Sequence, residues 1–333
     1  MSTRRWANSA RPAGVELLLV VAVDGHRLLE RGDSSLAQIQ EEYIDRTVAA
    51  LSPLAEDHDL VITYGPGPHA GLLATDGGFD PDVSPLHPLD VLDAHTQAMI
   101  GYLLLQAFEN ALPGREVVSL TCQTEVAADD LAFEDPTTFV GPFHTDEESR
   151  SFAALRSWRV QPDGSAWRRV VASPEPLAMV QLSTIRMLLG DSAVVICDGG
   201  GGIPVTRGGD GRLRGVDAVI DSNLGAALLA RDLRADALLI LTDVANSQGG
   251  PGADATLPIG RTTPAFLRAR SLPDKSMDPK VEATCRFVEA TGNRAMIGRL
   301  ADASDLVRGI CGTVVEPVGD EVSVELLAAG RRG

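Results

Sequence analysis

Residues 193–204 read Ala-Val-Val-Ile-Cys-Asp-Gly-Gly-Gly-Gly-Ile-Pro. The apolar run is too brief for a helix and long enough for a buried strand. Four consecutive glycines lose a great deal of backbone entropy on folding, so a fixed run of them serves close approach or a backbone form that other residues avoid. Open α/β sheets bind ligands at the carboxyl ends of their strands, where helix N-termini offer free N–H groups to anions. Gly199, Gly200 and Gly201 are therefore expected to face a phosphate or carboxylate.

The same unit recurs along the chain. Leu17 to Val23 reads as a first strand followed by Asp24-Gly25-His26, and Leu60 to Thr63 as a second followed by Gly65-Pro66-Gly67-Pro68. Gly25, His26, Gly65 and Gly67 join the candidate anion contacts. Val117 to Leu120 and Ala237 to Thr242 read as further strands, the latter ending in Asp243, which is placed to point at a ligand. Between them, helical spacing appears over 36–54, 89–112, 179–189, 224–233 and 281–291. Strands alternating with helices predict an α/β fold around a mostly parallel sheet. Met99 to Leu105 is apolar nearly all round, so this helix needs cover on more than one face, from the sheet and from a second subunit. From about 125 to 176 the periodicity fails, which reads as a small lid. Asp210-Gly211 marks a hairpin and 245–255 a loop.

Composition narrows the function. The 333 residues are 44% hydrophobic and 4% aromatic, so aliphatic side chains fill the interior. A formal charge of −17 opposes nucleic acid and anionic membranes and leaves small-molecule or protein partners. No stretch reaches the roughly 18 apolar residues of a membrane span. The run 15–23 is interrupted by Glu16 and lacks a cleavage site, so it reads as a strand and not as a signal peptide. Four scattered cysteines predict neither a zinc site nor a disulfide framework, which fits a reducing, cytoplasmic setting. Of 29 basic residues only Lys275 and Lys280 are lysine, both within one six-residue stretch. His69, His95 and His144 read as loop or surface residues, with His26 set apart by its turn. Neither the P-loop pattern nor G-x-G-x-x-G occurs.

Five segments carry a family resemblance: 91–102 (VLDAHTQAMIGY), 199–204 (GGGGIP), 215–221 (GVDAVID), 239–244 (LILTDV) and 276–283 (SMDPKVEA). In order and in register from about 17 to 314, the chain resembles the carbamate kinases of the amino acid kinase superfamily. That resemblance implies a three-layer αβα sandwich. It implies an acceptor lobe at 15–215 carrying the lid at 125–176, a nucleotide lobe at 216–318, and a homodimer. It further implies ATP or ADP with magnesium, the interconversion of ATP plus carbamate with ADP plus carbamoyl phosphate, and a place in arginine metabolism. By the same resemblance, Asp243, Met277, Pro279 and Lys280 are expected in the nucleotide region, with Lys280 neutralising phosphate charge.

Several family positions are replaced. Gly-Gly-Asn after the first strand has become Asp24-Gly25-His26, and Gly-Asn-Gly-Pro has become Gly65-Pro66-Gly67-Pro68. Pro66 removes a backbone donor. Expected lysines are Thr138 in the lid and Ser222, followed by Asn223, after Ile220-Asp221. Phosphoryl transfer depends on positioning and charge neutralisation, so each lost cation lowers the rate by roughly 10² to 10³. Lys275 is the candidate replacement, with Arg27, Arg186 and Arg214 as other cations at hand. Three readings follow: a family member with weak, altered or lost activity, amounting at the limit to a pseudoenzyme; an active kinase with a rebuilt site for carbamate or another small acid; and a non-catalytic nucleotide- or protein-binding homologue.

Overall fold

The computed structural model describes residues 17–24, 36–65, 87–242, 260–269 and 277–317. Its strands, in chain order, are β1 Leu18–Val23, β2 Asp59–Tyr64, β3 Val117–Ser119, β4 Gln123–Val126, β5 Thr138–His144, β6 Arg159–Asp163, β7 Ala166–Val171, β8 Pro176–Met179, β9 Val194–Ile196, β10 Ile203–Arg207, β11 Leu213–Gly215, β12 Ala237–Thr242, β13 Gly260–Thr262, β14 Arg294–Arg299 and β15 Thr313–Val315. The α-helices are α1 Leu36–Asp57, α2 Leu89–Ala111, α3 Asp146–Arg156, α4 Leu182–Gly190, α5 Ser222–Leu233, α6 Pro264–Ala269, α7 Asp278–Thr291 and α8 Ala303–Val307.

Eight strands form the central sheet in the order β13-β15-β14-β12-β1-β2-β9-β3. Every pairing in it is parallel except β14 with β15. Strand side chains alternate between faces, so a strand buried on both sides must be apolar throughout. β1 meets that demand with Leu-Leu-Val-Val-Ala-Val, all buried. Leu19, Val21 and Val23 pack with Ile44, Val48 and Leu51 of α1 and Ile100, Leu104 and Phe108 of α2. Leu18, Val20 and Ala22 pack with Ala226, Leu229 and Ala230 of α5 and Val281, Phe287 and Val288 of α7. Helices thus cover both faces, and the αβα sandwich expected from the sequence is the fold observed.

Two smaller sheets stand beside the central one. β11-β10-β4-β8 forms a four-stranded sheet, and β5-β7-β6 an antiparallel three-stranded sheet. The latter packs with α3 within the segment 125–176 that the sequence reads as a lid. α3 starts in a capping box, Thr145 Oγ1 accepting from the Glu148 amide at 3.2 Å while Glu148 Oε2 accepts from the Thr145 amide at 2.8 Å.

Some boundaries differ from the sequence reading. The helix expected over 179–189 starts at Leu182, because Met179 pairs with Thr124 in the β4–β8 ladder. Ile203 and Pro204, read as turn, join β10 and run parallel to β4. α2 keeps Ile100, Leu104 and Phe108 buried and leaves Tyr102 57% exposed. No helix among the described residues is long and apolar enough to cross a membrane.

Candidate functional site

The parallel run β12-β1-β2-β9 brings the carboxyl ends of four strands to one edge. The chain leaves that edge in fixed directions. The Asp24 amide donates to Leu241 O at 2.9 Å, the Gly65 amide to Val23 O at 2.9 Å, and the Cys197 amide to Ile62 O at 2.9 Å. Asp24, Gly65 and Gly199–Gly201 therefore lie along one side of the sheet. Gly25, His26, Pro66, Gly67, Asp243 and Lys275 fall outside the described residues.

α7 brings Lys280 to this edge. Met277 occupies the N-cap without a side-chain bond, and Pro279 sits in the first turn, where its missing N–H costs nothing. Lys280 follows, only 4% exposed. A cation in a helix's first turn faces the positive end of the dipole, and a buried ammonium needs a counter-charge. Asp24 provides it: Lys280 Nζ lies 2.9 Å from Asp24 Oδ2, with the two side chains 5% and 15% exposed. The residue at the expected phosphate cation and the residue replacing the first turn glycine are bonded to each other.

The turn after β9 is built differently. A Cβ on Gly199 would stand 2.5 Å from the Tyr64 ring. Gly201 has φ +83° and lies against the first turn of α5, where a Cβ would approach Asp221 O to 3.0 Å. Gln97 braces the turn from α2, its Nε2 donating to Gly199 O at 2.9 Å and to Cys122 O at 3.2 Å while its Oε1 accepts from the Cys122 amide at 2.8 Å. Tyr64 Oη donates to Gln97 O at 2.9 Å, and burial keeps that phenol protonated by pushing its pKa far up. Asp198 sits beneath at φ +57°, fully buried, with neither carboxyl oxygen hydrogen-bonded among the described residues. Burial raises its pKa well above the ordinary carboxylate value, which favours the protonated form. Hydrogen bonding to Cys122 and burial likewise hold the Cys197 thiol well above its ordinary value.

Ser222 and Asn223 open α5, beside that turn. Asp221 caps the helix, its Oδ1 accepting from the Asn223 amide at 2.9 Å and the Leu224 amide at 3.1 Å. Thr138 stands at the start of β5 in the three-stranded sheet, opposite Val171. Arg186 donates to Asp232 O and Arg214 pairs with Asp210, so both are engaged elsewhere. Among the described residues, no group of three His, Cys, Asp or Glu gathers in a metal-binding arrangement. A polar residue at Gln97, inside an apolar helix, was the available sequence signal for the brace; the raised pKa of Asp198 had none, because burial decides it.

Glycine turns, a helix N-terminus and a buried lysine thus converge on the carboxyl edge of a mostly parallel α/β sheet. The amino acid kinase family profile matches residues 18–299. A carbamate kinase from Rhizobium meliloti is 43% identical over 301 residues, covering 89% of this chain and 92% of the relative. One from Haemophilus influenzae is 38% identical over 306 residues, covering 92% and 98%. The solved structure of Giardia lamblia carbamate kinase bound to AMP-PNP superposes with a TM-score of 0.81 at 32% identity, covering 91% of this chain and 99% of that one. The chain belongs to the amino acid kinase family and, within it, to the carbamate kinase family.

Proposed function

We propose that this chain binds a nucleotide, as the Giardia lamblia relative binds AMP-PNP, in the lobe at 216–318, and transfers phosphate to or from a small acid such as carbamate only weakly. The observation that carries this reading is the 2.9 Å contact between Lys280 and Asp24. A lysine neutralises a transferring phosphoryl group when its charge is available. Here a carboxylate holds the same ammonium, and an incoming phosphate meets a pair whose charges cancel. A bare unit charge at about 4 Å interacts by roughly 4 kcal/mol at the effective dielectric of a protein surface. Cancelling even part of that is consistent with a rate loss on the order of 10² to 10³. Thr138 and Ser222 add two further missing cations. The charges present therefore do not fit a transferring phosphoryl group as they stand, whereas the glycine turn fits close packing at the edge.

Purified protein mixed with ADP, magnesium and carbamoyl phosphate tests this by the rate of ATP formation. Slow turnover above a denatured control, abolished in Lys280→Ala, is the expected outcome. Turnover that survives Lys280→Ala removes Lys280 from the reaction. A wild-type rate equal to that of the Rhizobium meliloti relative in the same assay would contradict the assignment of weak activity.

A further inference from the structure

The lid carries a second cationic feature, and it lies outside the catalytic readings above. A cavity of about 550 Å³ opens between the start of α2 and the lid sheet, within the usual size of a small-molecule site. Leu92, Phe133, Pro136 and Val171 give it an apolar wall. The lining also holds Arg156, Arg159, Arg169 and Trp158, with Asp217 as its carboxylate. Three guanidinium groups against one carboxylate leave a positive hollow in a chain whose formal charge is −17.

Local structure explains how the cations come together. α3 ends at Arg156, and Ser157 in the left-handed conformation, φ 55°, turns the chain so that Trp158 follows into the same wall. Trp158 stacks on Phe152 at 5.4 Å between centroids. The Arg156 guanidinium lies 5.2 Å from the Trp158 ring, and that of Arg169 lies 4.6 Å from the same ring. The indole attracts both cations, yet the two cations repel each other. Arg169 has Asp217 at 2.8 Å, and Arg159 donates to Glu134 O at 2.7 Å. Arg156 has neither: its Nη1 is buried without an acceptor among the described residues. A buried guanidinium N–H without an acceptor is costly, and guanidinium groups match carboxylate and phosphate oxygens in planar, paired geometry.

We propose that this cavity binds a small organic anion, its carboxylate or phosphate end at Arg156 and its apolar body against Leu92 and Phe133. Phenyl phosphate is the probe, titrated into the full-length protein by calorimetry and by tryptophan fluorescence. Saturable binding at one site is expected, with a fluorescence change that disappears in Trp158→Phe. Arg156→Gln weakens binding by about tenfold or more, the loss of one charge-assisted hydrogen bond, whereas Lys280→Ala leaves it unchanged. Arg156→Lys keeps the charge and loses the fork, so it binds with intermediate strength and guards against a folding defect in the glutamine variant. Benzoate competes and inorganic phosphate competes poorly, because each supplies a different part of the ligand. No saturable binding at millimolar concentration overturns the proposal. So does binding that Arg156→Gln leaves intact, or that Lys280→Ala abolishes, since the anion then sits at the strand edge; so does inorganic phosphate binding as well as phenyl phosphate. Because the Lys280→Ala arm is separate, weak activity and an anion-binding lid stand or fall independently.

Discussion

The turns after β1 and β9 leave the same edge of the same sheet, and their chemistry differs. The β9 turn is shaped by packing: Gly199 fits under Tyr64, Gly201 fits against α5, and Gln97 bonds the carbonyl of Gly199. The β1 turn is shaped by charge, with Asp24 bonded to the buried Lys280. Packing that is needed to close the fold persists whatever the site does, because stability depends on it. A charge aimed at a ligand has no such support and can be answered from within the chain. The two turns thus answer to different demands, one of packing and one of charge.

Breaking the charged turn has the largest expected effect on stability. Lys280→Ala removes the ion-pair partner of Asp24 and costs about 2 to 3 kcal/mol in urea unfolding, short of the full cost of a completely buried pair because Asp24 keeps 15% exposure. An unchanged midpoint would mean that the pair contributes nothing. Next, Gly199→Ala drives a methyl into the Tyr64 ring and lowers stability by about 2 kcal/mol. If that variant melts like the wild type, the β9 turn is looser than its geometry indicates.

Asp198→Asn sharpens the comparison through pH. The folded protein keeps the Asp198 proton well above the ordinary range, whereas the unfolded chain releases it near pH 4, at about 3.9. The stabilising contribution of this group is complete below that pH and is lost as pH rises toward the folded value. The slope reaches at most about 1.4 kcal/mol per pH unit. Asp198→Asn removes it, so the variant gains stability over the wild type between acid and neutral pH; parallel stability curves would contradict the buried neutral carboxyl. The smallest effect lies outside both turns. Thr145→Ala deletes the α3 cap and costs about 1 kcal/mol, read as faster amide exchange in the lid.

Much of this was legible in the sequence, because strands buried on both faces must be apolar throughout and the family segments lie in register. β1, β2 and β12 were found that way. β14 and β15 were not, since β14 is bounded by Arg294 and Arg299 and β15 has three residues. Asp24 was visible as a carboxylate at a glycine position, and Lys280 as an expected cation. Their bond was not visible, because it joins residues 24 and 280 through the stacking of α7 on the sheet. The lid cavity was hidden for a similar reason: Arg156 and Arg169 meet only across α3 and β7.

The central claim is that Asp24 holds the charge of Lys280 away from phosphate. The most direct measurement is the rate of ATP formation from ADP and carbamoyl phosphate by Asp24→Gly beside the wild type. A rise of roughly 10- to 100-fold is predicted, despite a loss of stability from leaving Lys280 without its carboxylate. A rate equal to or below that of the wild type, in a variant shown to be folded, would contradict it.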